Sequence, residues 1–441
     1  MTIKLKMRRW LFAAATLCAA FAAGAEVHEY TLDNGLKLLV KEDHRAPVVV
    51  SQVWYKVGSS YEYDGITGIS HALEHMMFQG TERHAAGEFS RIIAENGGSQ
   101  NAFTATDFTA YFQTLEKSRL AVSFELEADR MRNLIVTPEE FEKEIKVVRE
   151  ERRWRTEDEP EAFAYETAMA TAFQTSPYRH PTVGWMSDLD AMQAEDLRAW
   201  YQRWYAPNNA VLVVAGDVDP ETVHQLAQKF FAPLSASDLR APSARPELPQ
   251  QGLKRVTVKR PAEVPYLMML FKTPALTSAV AGPDPIPEWE PYALEVLTGI
   301  IDGGSSARFA AKLVRGKEVA AAASADYQLA SRLDSVMVFE GTPSQGHDVA
   351  ALEQAIREEL QDLKDHLVDE TELERVKAQV ISQDVYRKDS AFYQALLLGV
   401  FESVGLSWKG VDEYVHKVQA VTAEQVQAVA RKYLIDDNLT V

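Results

Sequence analysis

The chain of 441 residues has one cysteine, Cys18, within its first 25 residues. A disulfide framework is therefore excluded, as is any thiolate metal site beyond that segment. Positive charge is scarce: 46 Lys and Arg face 64 Asp and Glu, a formal charge of −18. Phosphate backbones and anionic lipid both require clustered cations, so neither nucleic acid nor an anionic membrane surface is an expected partner. Long apolar runs are missing too. The run Trp10–Ala23 has 14 residues, short of the roughly 20 that span a bilayer. The glycine pair 303–304 is not followed by Gly-Lys-Ser/Thr, so it is a turn and not a phosphate loop. Only 10 histidines occur, which makes their spacing informative.

What is present begins with an export signal. Lys4, Lys6, Arg8 and Arg9 form a basic start, the 14-residue apolar run follows, and Ala23-Gly24-Ala25 supplies small residues for cleavage. An uncleaved anchor would need a longer apolar run. Leu17 before Cys18 argues against lipidation, since a small residue is expected there. Cleavage after Ala25 takes the charge from −18 to −22, leaves no thiol, and predicts a periplasmic protein without a membrane span.

Hydrophobic residues at 46% and charged residues at 25% are those of a folded globular chain. The length suggests two domains. A Pro/Ser/Ala-rich stretch at 232–254 has no apolar period and reads as a linker. The expected organisation is a signal at 1–25, an N-terminal domain at 26–231, that linker, and a C-terminal domain at 255–441. Residues 194–212 and 423–441 align without gaps at an offset of 229. Two copies of one α+β unit is the economical reading. Within the first copy, Asp33-Asn34-Gly35 marks a hairpin. A helix of about three turns closed by Gly80 is predicted around residue 71, and strand character over 100–116. Thr137, Pro138 and Glu140 write the N-cap, first position and capping-box partner of a further helix. In the second copy, strands are predicted near 255–273 and 319–342, with a helix over 287–301.

Residues 68–81 read GISHALEHMMFQGT. His71 and His75 are one helical turn apart and project from one face, as two imidazole ligands of a single Zn²⁺ would. Glu74 lies beside that pair, where it can take a proton from a metal-bound water. The alternative is an ordinary amphipathic helix with solvated histidines. A hydrolytic zinc needs a third protein ligand and an open position. The helix from Thr137 offers Glu144, Glu150 and Glu151. Glu144 and Glu151 share a face, whereas Glu150 is turned by about 100° from Glu151. A charged solvent face is the competing reading of those glutamates.

These stretches resemble the pitrilysin family of zinc peptidases, the inverzincins, in the branch of mitochondrial processing peptidase and its bacterial homologues. His-x-x-Glu-His is followed, with 75 residues between His75 and Glu151, by EIKVVREE. The resemblance implies His71, His75 and Glu151 as ligands of one zinc per chain, Glu144 as a supporting carboxylate and Glu74 as the base. GGSQNAFTATDFTAYF (97–112) is similar to the family's substrate strand, which implies that Asn101, Ala102 and Phe103 bind the peptide backbone. SPYRHPTVGW and WYAPNNAVLVVAGDV resemble later landmarks, and His180 in the first of them reads as structural. The implied fold is two homologous α+β halves, each an antiparallel sheet with flanking helices, closing as a clamshell around a chamber. The implied function is a zinc endopeptidase that cleaves peptides or unfolded segments. A non-catalytic peptide-binding or assembly subunit of the same fold is the alternative. Many members also carry an Arg and, seven residues on, a Tyr that assist catalysis. Arg315 fits the first, but residue 322 is Ala, and Tyr327 comes five residues later. The chain is therefore expected to act as a homodimer, or as a heterodimer with a homologous zinc-less subunit.

Overall fold

The computed structural model describes residues 26–240, 247–280, 282 and 285–441. The segment 1–25 with Cys18, and part of the linker, lie outside the described residues. The first half is built on β1 (Val27–Thr31), β2 (Lys37–Glu42), β3 (Val48–Tyr55), β4 (Ser99–Thr104), β5 (Thr109–Glu116) and β6 (Ala210–Gly216). Their order is β1-β2-β6-β3-β5-β4. All pairings are antiparallel except β2–β6, which is parallel. The turn at Asp33–Gly35 makes the β1–β2 hairpin, and β4 is left as a free edge.

The second half carries β7 (Leu267–Thr273), β8 (Ala320–Tyr327), β9 (Ser335–Pro343) and β10 (Leu439–Thr440), in the order β10-β7-β9-β8. This repeats β6-β3-β5-β4. The parallel β2–β6 pair has its counterpart in a parallel bridge between Lys254 and Thr440. β6 and β10 start 229 residues apart, the offset of the sequence echo.

Each sheet is covered on one face by a helix from the other half. Along β3, Val49 and Val53 point into the first half's own core, while Val50 and Trp54 join the core of the second. That division follows from the two-residue period of a strand. Helix Ala391–Ser403 lies on this second face. In return, Ala168 and Ala172 of helix Pro160–Ala172 pack on Leu270, Val336 and Val338 of the second sheet. β3 and β6 are apolar nearly throughout because both of their faces are buried.

Several elements differ from the sequence reading. The motif helix runs only Ile69–Met76, because the chain turns at Met77–Gln79 and the Gly80 carbonyl takes the Ile135 N–H. Residues 99–116 form a hairpin, with a turn at 105–108. Segment 255–266 pairs only at its start, since Pro261 and Pro265 cannot donate to a ladder. Thr137 caps its helix by accepting the Glu140 N–H at 3.1 Å. The Glu140 carboxylate takes the Thr137 hydroxyl proton, so the second capping-box bond, to the Thr137 backbone N–H, is not made.

Glu247, in the linker, accepts N–H bonds from Gln174, Thr175 and Ser176, and Lys272 Nζ at 2.8 Å. Burial alone would raise its pKa, but Lys272 and the three N–H groups outweigh that and hold it at about 2. Its stabilising effect is therefore full above the unfolded value of 4.5 and is lost as pH falls from there towards 2. Glu247→Gln is expected to cost about 2 kcal/mol at pH 7. Thermal melts should show the gap to wild type narrowing as pH falls from 4.5 towards 2; a gap independent of pH would contradict this.

Candidate metal centre

The His71 helix starts from a bend. Gly68 adopts φ 85°, which a side chain would resist. Glu62, buried below, accepts the Gly68 N–H at 2.7 Å and the Ser70 N–H at 2.8 Å. Burial lifts Glu62 to about 7, although both bonds favour its ionised form. This carboxylate fixes the first turn, and so the direction of His71 one residue beyond Ser70.

His71 and His75 lie edge to face with ring centroids 4.8 Å apart. Glu151 reaches them from the helix Pro138–Arg152: its Oε2 lies 3.1 Å from His75 Nε2 and 3.6 Å from His71 Nε2. One donor atom from each of the three falls within 4.8 Å of the others, and no other such His/Cys/Asp/Glu group occurs among the described residues. His71 is 7% exposed, and burial pushes its pKa down to about 3, so it is a neutral imidazole. Two imidazoles and a carboxylate, with an uncharged buried ring, suit Zn²⁺.

Glu144 stands behind the centre, its Oε2 3.5 Å from His75 Nδ1 and its Oε1 accepting Gln79 Nε2 at 2.9 Å. A carboxylate so placed can orient a ligating ring. Glu150 points away, exposed and paired with Arg153. Of the three candidate glutamates, the fold thus brings Glu151 to the histidines and Glu144 beside them. Arg155, in the π-helical turn that follows, holds Glu151 Oε1 at 2.8 Å.

Glu74 is mostly buried, which raises its pKa, while a bond from Thr104 Oγ1 to Oε2 at 2.6 Å opposes the rise. Thr104 closes β4, so the edge strand and the candidate base are tied together. Asn101, Ala102 and Phe103 occupy that free edge, and Phe103 packs against Trp54. Arg315 is exposed and donates to Ser305 O at 2.5 Å, without contact to the histidines. Ala322 lies in β8, and the Tyr327 hydroxyl is buried and donates to Pro274 O at 2.7 Å. His180 binds Asp64 at 3.1 Å, a structural contact.

Sequence reasoning missed Thr104, Gln79, Arg155 and Glu62. Thr104 follows the Asn-Ala-Phe segment directly and had a signal. Glu62 had none, because only the folded loop returns it to the helix.

Comparison with known proteins agrees with this geometry. The profile of the family described as Insulinase (Peptidase family M16) matches residues 37–184, and that described as Peptidase M16 inactive domain matches residues 191–380. Zinc protease PqqE of Helicobacter pylori is 30% identical over 415 residues, covering 93% of this chain and 90% of that protein. The crystal structure of a protease from Helicobacter pylori superposes with a TM-score of 0.88 at 29% identity, covering 94% of this chain and 98% of that one. The periplasmic protease PqqL of Escherichia coli shares the fold, with a TM-score of 0.76 at 17% identity, 94% of this chain matching 47% of that one. With a single His-His-Glu cluster in the half matched by the insulinase profile, a second half matched by the inactive-domain profile, and relatives named as zinc proteases along nearly its whole length, the chain belongs to peptidase family M16.

Proposed function

We propose that the chain is a zinc-dependent endopeptidase acting on peptides or unfolded segments, with His71, His75 and Glu151 holding one zinc and Glu74 as the base. The observation that carries this reading is the convergence of those three donors within 4.8 Å beside a Glu74 gripped by the edge strand. Bound zinc would supply a concentrated positive charge that acidifies water and polarises a carbonyl. Glu74 would take a proton from the attacking water on the oxygen that Thr104 does not engage, then return it to the leaving amide nitrogen. Substrate would lie along β4 as an added strand, its main chain held by Asn101, Ala102 and Phe103. Glu144 would hold the His75 ring through Nδ1, and burial would keep His71 neutral and ready to bind.

Arg315 and Ala322 leave no tyrosine in the expected place, which favours a second subunit, identical or homologous and zinc-less, completing the chamber. PqqL supports this arithmetic: the chain spans 47% of it, and 90% of a structure of its first half alone. PqqL is described as periplasmic, in line with the export signal read at 1–25, and no described helix is long and apolar enough to cross a membrane.

The test is metal content and peptide cleavage together. Glu151→Gln is expected to lose zinc on dialysis, whereas Glu150→Gln retains it. Glu144→Gln is expected to weaken retention roughly 10–100-fold. Cleavage should stop with a chelator and return with zinc. Cleavage that persists in the metal-free protein would sink the reading, and a purified monomer working at full rate would remove the second subunit.

A further inference from the structure

We propose that Arg332, from the second half, is a positioning residue for Glu74, acting through the turn that ends β4; this rests on the peptidase reading above. The loop between β8 and β9 crosses to the first half. There the Arg332 main-chain N–H donates to Asp107 Oδ2 at 2.9 Å, and its Nη2 donates to Ser60 O at 3.0 Å and Ser60 Oγ at 2.9 Å. The guanidinium also lies over the Tyr61 ring, 4.3 Å from its centroid. The neighbouring Leu333 N–H donates to the Tyr178 hydroxyl at 3.0 Å, which in turn donates to Asp107 Oδ2 at 2.5 Å. Ser60 Oγ donates to Asp107 Oδ1 at 2.7 Å. Asp107, its side chain 5% exposed, thus gathers three segments that are remote in sequence.

Asp107 belongs to the turn 105–108 between β4 and β5. Two further hydrogen bonds to that turn come from the same cluster: Ser59 N–H to Ala105 O at 3.3 Å and Ser60 N–H to Thr106 O at 2.7 Å. Thr104, three residues before Asp107, carries the hydroxyl that holds Glu74. β4 is an edge strand, hydrogen-bonded to a neighbouring strand along one side only, by β5. Its end is therefore placed by the turn, and the turn by a cluster that the second half completes. A shift of about 1 Å in a group that aligns a catalytic carboxylate can cost on the order of 100-fold in rate. A side chain of the second half thereby bears on the chemistry of the first.

A double-mutant cycle tests the coupling. Arg332→Met and Thr104→Val are each expected to lower kcat roughly 10–100-fold with little change in KM. The double variant should be no slower than Thr104→Val alone. Glu247→Gln, which weakens the contact between the halves elsewhere, should leave kcat unchanged and show no such masking. Arg332→Lys, which keeps a charge over Tyr61, should recover part of the rate and serves in the cycle if the Met variant does not fold. A double variant slowed by the full product of the two single effects would assign Arg332 a merely structural role and overturn the proposal. Hydrogen exchange gives a readout independent of activity: the amides of β4 should exchange faster in the Arg332 variants than in wild type. Unchanged exchange overturns the coupling, whereas a wild-type protein without peptidase activity sinks only the reading on which it rests.

Discussion

Glu74→Gln is expected to reduce peptide turnover roughly 10²–10⁴-fold, the range for loss of a general base, while leaving the zinc content unchanged. The substitution keeps the shape of the side chain, and its carbonyl oxygen still accepts the Thr104 hydroxyl that lies 2.6 Å from Oε2. What it loses is the ability to hold a proton. The proposed metal donors are His71, His75 and Glu151, whose ligand atoms lie within 4.8 Å of one another, so retention of metal should not depend on residue 74. Peptide binding should also survive, because β4 and its edge are untouched. The measurement is kcat with metal analysis on one preparation. A variant that turns over at the wild-type rate would move the base to another residue, and a variant that loses zinc as well would make Glu74 part of the metal shell.

Gly399→Val is expected to destabilise the fold by about 3 kcal/mol, at the upper end of typical overpacking costs. Replacing a glycine inside an exposed helix normally adds stability, because the unfolded chain loses freedom. Here the sign reverses. Helix Ala391–Ser403 crosses the first sheet at Trp54, and a Cβ at 399 would overlap the indole ring. That ring has no room to yield. It is 0% exposed, its Nε1 donates to Gln52 Oε1 at 2.9 Å, and Phe103 and Phe108 abut it edge-on. The helix must therefore withdraw, breaking the Gln52 Nε2 bond to Phe392 O and opening the seam between the halves. Because Phe103 on β4 rests on Trp54, activity should fall together with stability. Chemical denaturation of Gly399→Val, Trp54→Phe and the double variant tests this: the smaller ring should return part of the loss. Simple addition of the two costs would mean that the helix does not seat on Trp54.

The amino-acid sequence alone determined the candidate donors of the centre and much of the fold. His71 and His75 had to share a face, because one helical turn separates them. The 229-residue echo gave two α+β units before any strand was paired. Choice among Glu144, Glu150 and Glu151 was narrowed by helical phase, since Glu150 could not face with the other two. These readings were open to the sequence because helical periodicity is local: it relates residues a few positions apart, whatever the rest of the chain does.

Tertiary structure decided what depends on distant segments meeting. Only the assembled chain brings Glu62 back beneath the motif helix, sets Thr104 against Glu74, and carries Arg332 to Asp107, 225 residues away. The same holds for the exchanged helices. A strand such as β3 records in its apolar pattern that both faces are buried, but not that one of them is covered by the other half. Burial shapes each residue's own composition, whereas the identity of the covering element is a property of two segments at once, and no periodicity within one of them encodes it.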